Sequence, residues 1–213
     1  MKTQDLVALL ASDATPVDRR IMSKRFSQAM LLGALGALLL MMARFGVRPD
    51  LIRVASTFLF WFKLAFPLAL AAASLWACTR LSRPGVALGR ASLAMLAPIG
   101  IIWISAVPLV LLTPASQRVA LLLGHTWRVC PFNIALLSIP TFIMVFWAMK
   151  GLAPTRLRLA GAAAGLLAGA TATIVYCLHC PEMGVPFWAI WYLLGMLIPT
   201  LAGALLGPRC LRW

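Results

Sequence analysis

Six runs of about twenty apolar residues, at roughly 26–43, 54–78, 91–112, 131–149, 157–178 and 186–206, leave this chain little choice of fold. Each is close to the ~20 residues that an α-helix needs to cross a bilayer. Of all residues, 62% are apolar and 11% charged, and a water-soluble domain of that make-up could not cover itself with polar surface. The expected fold class is therefore all-α: a polytopic membrane protein with six transmembrane helices. Residues 26–213 would form the transmembrane domain and residues 1–25 an N-terminal segment outside it.

A formal charge of +14 would point to nucleic acid in a soluble protein. Here Lys and Arg fall almost wholly between the apolar runs, where they set topology, so direct nucleic-acid binding is not expected. Thirteen lie on one side: Lys2, Arg19, Arg20, Lys24 and Arg25, then Arg80, Arg83 and Arg90, then Lys150, Arg156 and Arg158, then Arg209 and Arg212. Five lie on the other: Arg44, Arg48, Arg53, Arg118 and Arg128. The excess places both termini in the cytoplasm, with Cys130, Cys177 and Cys180 at the external face and Cys78 and Cys210 at the internal one. The polar start, with its three Asp, does not have the pattern of a cleavable signal.

Within 1–25, Thr3 can cap a short helix, with Asp5 in its first turn and Leu6, Val7, Leu9 and Leu10 on one face until Pro16 closes it. Such a face suits insertion into a partner's groove; lying on the membrane surface is the alternative. In the fifth run Gly161, Gly165 and Gly169, four apart, share a face on which another helix can approach closely. Pro67, Pro98, Pro108, Pro140 and Pro199 lie inside apolar runs and are expected to kink them. Lys63 falls near the middle of the second crossing and is expected to stretch toward an interface, with Glu182 as its partner if the loop after the fifth crossing folds inward. Trp188, Trp191, Tyr192 and Tyr176 would form an external aromatic belt, Trp76 and Trp147 an internal one.

Two Cys-Pro pairs carry the chemistry. Pro131 opens the fourth crossing, which would put Cys130 at a helix N-cap, where the dipole and Arg128 favour a thiolate. Cys180-Pro181 is flanked by His179 and Glu182. Three arrangements are open: a Cys130–Cys180 disulfide; a thiophilic metal held by Cys130, Cys180 and His179, with Glu182 as an auxiliary; or a redox pair in Cys177-Leu178-His179-Cys180.

The stretch from Gly169 to Trp213 contains Tyr176, His179-Cys180-Pro181-Glu182, Phe187-Trp188-Ala189-Ile190-Trp191-Tyr192 and Leu206-Gly207-Pro208-Arg209-Cys210-Leu211-Arg212-Trp213. Together with the start Met1-Lys2-Thr3-Gln4-Asp5-Leu6-Val7-Ala8-Leu9-Leu10 and the Cys130-Pro131 region, it resembles the NrsF family, negative regulators of sigma F. The resemblance implies a six-helix anti-sigma factor of the bacterial inner membrane, not an enzyme. It further implies that the cytoplasmic N-terminal segment holds an extracytoplasmic-function sigma factor, while two periplasmic cysteines, matching Cys130 and Cys180, sense heavy-metal or oxidative stress. No cofactor is expected beyond a thiophilic metal as inducer, and Cys177 falls outside the shared pattern. Rival readings are a membrane thiol-disulfide oxidoreductase using Cys177 and Cys180, and a small metal transporter with Lys63 or Glu182 in its path.

Overall fold

The computed structural model describes residues 3–12 and 20–212. Among them all regular structure is helical: α1 (Thr3–Ser12), α2 (Ile21–Arg44), α3 (Leu51–Ala55), α4 (Phe58–Leu81), α5 (Arg90–Leu112), α6 (Ala115–Leu123), α7 (Cys130–Lys150) and α8 (Leu157–Tyr176), then α9 (Val185–Phe187), a π-helical turn (Trp188–Tyr192) and α10 (Leu193–Cys210). The last three run on as one helix, Val185–Cys210, which with α2, α4, α5, α7 and α8 makes six helices long and apolar enough to cross a membrane. In such helices the backbone groups are satisfied within the segment except where an interior proline removes a donor.

The second apolar run is split. Residues 51–55 turn as the separate helix α3, and α4 begins only after Thr57, whose hydroxyl accepts from the Phe60 N–H (3.4 Å). Lys63 consequently sits about one and a half turns from the start of α4, not at its middle. The short helix α6, between α5 and α7, has no counterpart among the apolar runs.

The core is organised around α8, which is enclosed nearly all round, whereas α5 faces outward along most of its length. In hydrocarbon the hydrophobic effect does not draw helices together, so close packing must. Small residues supply it. A Cβ added at Gly161 would run into the carbonyl oxygen of Gly203, and one at Gly165 into that of Pro199, while one at Gly169 would lie 2.9 Å from the Cα of Met196. The contact is reciprocal, since Gly203 and Gly207 of α10 lie against the backbone at Gly161 and Leu157. Gly33 and Gly36 give α2 the same proximity to Thr141 and Pro140 of α7. The prolines at 67, 98, 108, 140 and 199 all lie within helices, and Pro140 and Pro199 form parts of these contacts.

Leu31, Ile104 and Leu205 are among many apolar side chains left facing outward, as lipid requires. Trp76 and Trp147 also face outward, and Arg25 stacks over the Trp147 ring at 5.3 Å. The second expected belt does not form. Trp188, Tyr176 and Tyr192 are buried inside the bundle, because they pack around a polar cluster that the sequence did not reveal.

Candidate functional site

That cluster is built on the loop leaving α8. Cys177 N donates to Thr173 O, and His179 N and Cys180 N both donate to Tyr176 O, so the chain winds one further turn beyond the helix. Pro181 then ends it, having no N–H to donate. The carbonyls at the end of a helix lack intrahelical donors, and cations suit that negative end. Two cations arrive. Lys63 Nζ donates to the carbonyl oxygens of Cys180 and Glu182, at 2.8 Å each, and Arg48 Nη1 donates to the same Cys180 oxygen at 3.2 Å.

Lys63 is thus fully buried and neither stretches to an interface nor meets the Glu182 carboxylate. The rings of Trp188 and Tyr192 flank it at 5.9 and 5.8 Å, within cation–π range. The Glu182 carboxylate turns the other way and accepts from His125 N (2.7 Å), Thr126 N (3.1 Å) and Thr126 Oγ1 (3.3 Å). Trp188 Nε1 donates to the Glu182 carbonyl at 3.1 Å. His179 Nδ1 lies 3.0 Å from the Gly46 carbonyl, an acceptor that places the proton on that nitrogen, and Arg48 N donates to Leu178 O. One loop therefore ties together the segment after α2, the start of α4, the segment before α7 and the sixth crossing.

Arg48 is oriented by Asp50, whose two carboxylate oxygens accept from its Nε and Nη2 at 2.7 and 2.9 Å. This bond holds the Asp50 carboxyl below the usual carboxylate range. Because the folded value lies below the unfolded one, the stabilisation is complete above the ordinary ~3.9 and is lost as pH falls through the depressed value. Amide protection over residues 46–51, taken relative to the intrinsic exchange rate at each pH, is expected to fall on acidification through that window, and Asp50→Asn should abolish the step. Protection that does not change with pH in the wild-type protein would show that the pair does not hold the loop.

Cys130, Cys177 and Cys180 are free thiols with no solvent exposure, gathered at this end of the bundle. The N-cap of α7 is Val129, not Cys130, which is the first helical residue and points inward to the Tyr176 phenol. Arg128 does not assist it, because that guanidinium lies over the Trp127 ring, 5.1 Å away, at the surface. Cys180-Pro181 closes the last turn after α8, and the next helix is capped by Gly184. Tyr192 Oη is buried with no hydrogen bond of ordinary geometry and meets the thiols of Cys177 and Cys180, which are weak partners. Among the described residues no group of three or more His, Cys, Asp or Glu is placed to hold a metal ion.

The other expected site residues lie apart. Gly161, Gly165 and Gly169 belong to the α8–α10 contact. Asp5 and Val7 are exposed on α1, and the side chains of Leu6, Leu9 and Leu10 lie outside the described residues, as does Pro16. Sequence reasoning counted Arg48 only toward topology. The Arg48-Pro49-Asp50 triplet was the available signal, a short-range ion pair next to a helix end.

Six helices long and apolar enough to span a membrane, one of them the central small-residue helix α8, with one buried polar loop at one end, define a polytopic all-α membrane protein. Lys63, Glu182 and His179 are all engaged with backbone groups there. The chain belongs to the NrsF family, negative regulator of sigma F, whose profile matches residues 10–213. That role is regulatory and not enzymatic. Over the full length of both chains it is 49% identical to the probable anti-sigma-F factor NrsF of Azospira oryzae and 36% identical to the anti-sigma-F factor NrsF of Caulobacter vibrioides. No solved structure matches.

Proposed function

We propose that this protein is an anti-sigma factor of the bacterial inner membrane, which holds an extracytoplasmic-function sigma factor through residues 1–25 and releases it when thiols at the opposite end are modified. The observation that carries the reading is the full-length similarity to two proteins, one named an anti-sigma-F factor and the other a probable one. Both termini are cytoplasmic in this reading, on the strength of thirteen basic residues against five, and the cysteine loop faces the periplasm. The oxidoreductase and transporter readings have no support from a family described as a regulator.

The mechanism follows from packing. Cys130 and Cys180 are buried in contact with their surroundings, so an oxidant or soft metal ion that adds atoms to either sulfur overfills the site. The loop must then shift. Since the Cys180 carbonyl holds both Lys63 and Arg48, a shift there releases α4 and the segment after α2 together. α8 carries the change toward the cytoplasmic end as one of two discrete packings.

Purification in detergent with the sigma factor present tests the grip. Leu6→Asp or Leu10→Asp is expected to weaken binding at least ~10-fold, from lost burial of ~1.5 to 3 kcal/mol plus desolvation of a charge. Cys130→Ser and Cys180→Ser should keep the sigma factor bound but blunt induction of a sigma-dependent reporter by a thiophilic stress. Repression that survives deletion of residues 2–20 would move the grip to the basic loop of residues 150–158.

A further inference from the structure

The lipid-facing side of the bundle has a groove between α7 and the sixth crossing, at the end that carries the cysteine loop. A cavity of about 300 Å³ lies in it, walled by Pro131 and Phe132 on one side and by Leu194, Leu197 and Leu201 on the other. Phe132 and the three leucines are exposed, so the groove opens outward along its length. The leucines form one stripe of their helix. From Trp191 at the mouth to Leu201 the rise is ~15 Å at about 1.5 Å per residue, half of the ~30 Å hydrocarbon core and so the depth of one leaflet.

The mouth has a different chemistry. Trp127 and Trp191 pair there with ring centroids 5.3 Å apart, and Trp191 is fixed by its Nε1–H, which donates to Leu122 O at 2.8 Å. Arg128 lies exposed over the Trp127 ring. Stacking occupies the face of a guanidinium and leaves its N–H groups, which lie in its plane, for another partner. Neither acid at this end of the bundle supplies one: Asp50 is bound to Arg48, and the Glu182 carboxylate to His125 and Thr126. The positive dipole end of α7 begins at the same place and adds to the charge. An apolar slot one leaflet deep, topped by two tryptophans and an unpaired guanidinium, has the shape and charge to take one phospholipid.

We propose that the groove between α7 and the sixth crossing is a binding site for an anionic phospholipid, with one acyl chain along Phe132, Leu197 and Leu201 and the phosphate against the Arg128 guanidinium. A slot open to hydrocarbon fills with acyl chain, because water would find no polar partner on its walls. Arg128 is what makes one lipid stay. Guanidinium and phosphate match in geometry, two N–H groups to two oxygens. A headgroup with net negative charge is favoured over a zwitterionic one, whose own ammonium competes for the phosphate. Thr126, two residues before Arg128, holds the Glu182 carboxylate. A bound headgroup therefore braces the segment to which the cysteine loop is anchored.

The test uses the full chain in detergent micelles doped with equal amounts of phosphatidylglycerol and phosphatidylcholine of the same acyl chains, and counts the lipids retained by native mass spectrometry. One phosphatidylglycerol per chain is expected to be kept in preference to phosphatidylcholine. Arg128→Gln should weaken that retention about fivefold, and Leu201→Trp, which fills the floor of the groove, by at least as much. Both side chains are exposed, so neither change disturbs the core. Arg53→Gln removes an exposed cation that does not line the groove and should change nothing. Equal retention of the two lipids, wild-type retention in Arg128→Gln or in Leu201→Trp, or a loss in Arg53→Gln as large as in Arg128→Gln would overturn the proposal; the last would mean that only overall surface charge matters. Displacement of phosphatidylglycerol by inorganic phosphate would also overturn it, since the site would then be one for a free anion. A lipid-free dimer would do the same and assign the groove to a second copy of the chain.

Discussion

Gly165→Leu should strongly destabilise the bundle. A Cβ at this position would collide with the carbonyl of Pro199 and lie 2.8 Å from the Thr200 Cα, and these are backbone atoms that no rotamer change can clear. The only relief is to separate α8 from α10, and α8 is the helix on which α4, α7 and α10 all pack. Overfilling a core with side chains that can adjust costs ~1 to 3 kcal/mol. Against immovable backbone we expect at least ~3 kcal/mol, a large fraction of the ~5 to 15 kcal/mol that holds a typical domain folded. Gly100→Leu is the control, since a Cβ there meets nothing within 4 Å and the change should stay within about 0.5 kcal/mol. Thermal unfolding in detergent, followed by circular dichroism, distinguishes the two. If Gly165→Leu melts with wild type, the α8–α10 contact is not what organises the core.

The second large effect is expected from Glu182→Ala, and it is local. Its carboxylate accepts three hydrogen bonds from His125 and Thr126, which anchor the segment between α6 and α7 to the cysteine loop. Bonds to a charged acceptor are stronger than neutral ones, and their removal leaves the donors without a partner, at ~2 to 3 kcal/mol. At ~2 kcal/mol the protection of the amides at 125 and 126 should fall roughly 30-fold in hydrogen exchange. Glu182→Gln, which keeps an acceptor oxygen but loses the charge, should fall between. Amides at 46–51 should change less, because the Glu182 and Cys180 carbonyls that hold Lys63 and Arg48 belong to the backbone. Unaltered protection at 125 and 126 in Glu182→Ala would show that the carboxylate does not anchor this segment.

Much of the architecture follows from local chemistry. A run of twenty apolar residues must form a helix where no water is present to satisfy its backbone, and this holds whatever the run packs against. Glycines four apart, as at 161, 165 and 169, present a bare face for the same local reason, and Gly203 and Gly207 carry the same signal in α10. The surroundings of Lys63 were not legible in this way. Position along a helix says how far a side chain is from a membrane surface, but not which carbonyl arrives beside it from a residue more than a hundred positions away. Cys130 is a further case: the Cys-Pro pattern correctly marks the start of α7, yet whether the thiol meets solvent or the Tyr176 phenol depends on where α8 ends. Trp188 and Tyr192 have the composition of a membrane-interface belt, but became walls around a buried ammonium because the π turn directs both rings inward. Spans, their number and the small-residue seams are properties of one segment at a time. The polar cluster exists only where four segments converge, because its donors and acceptors are backbone groups and cations whose pairing is decided by three-dimensional packing.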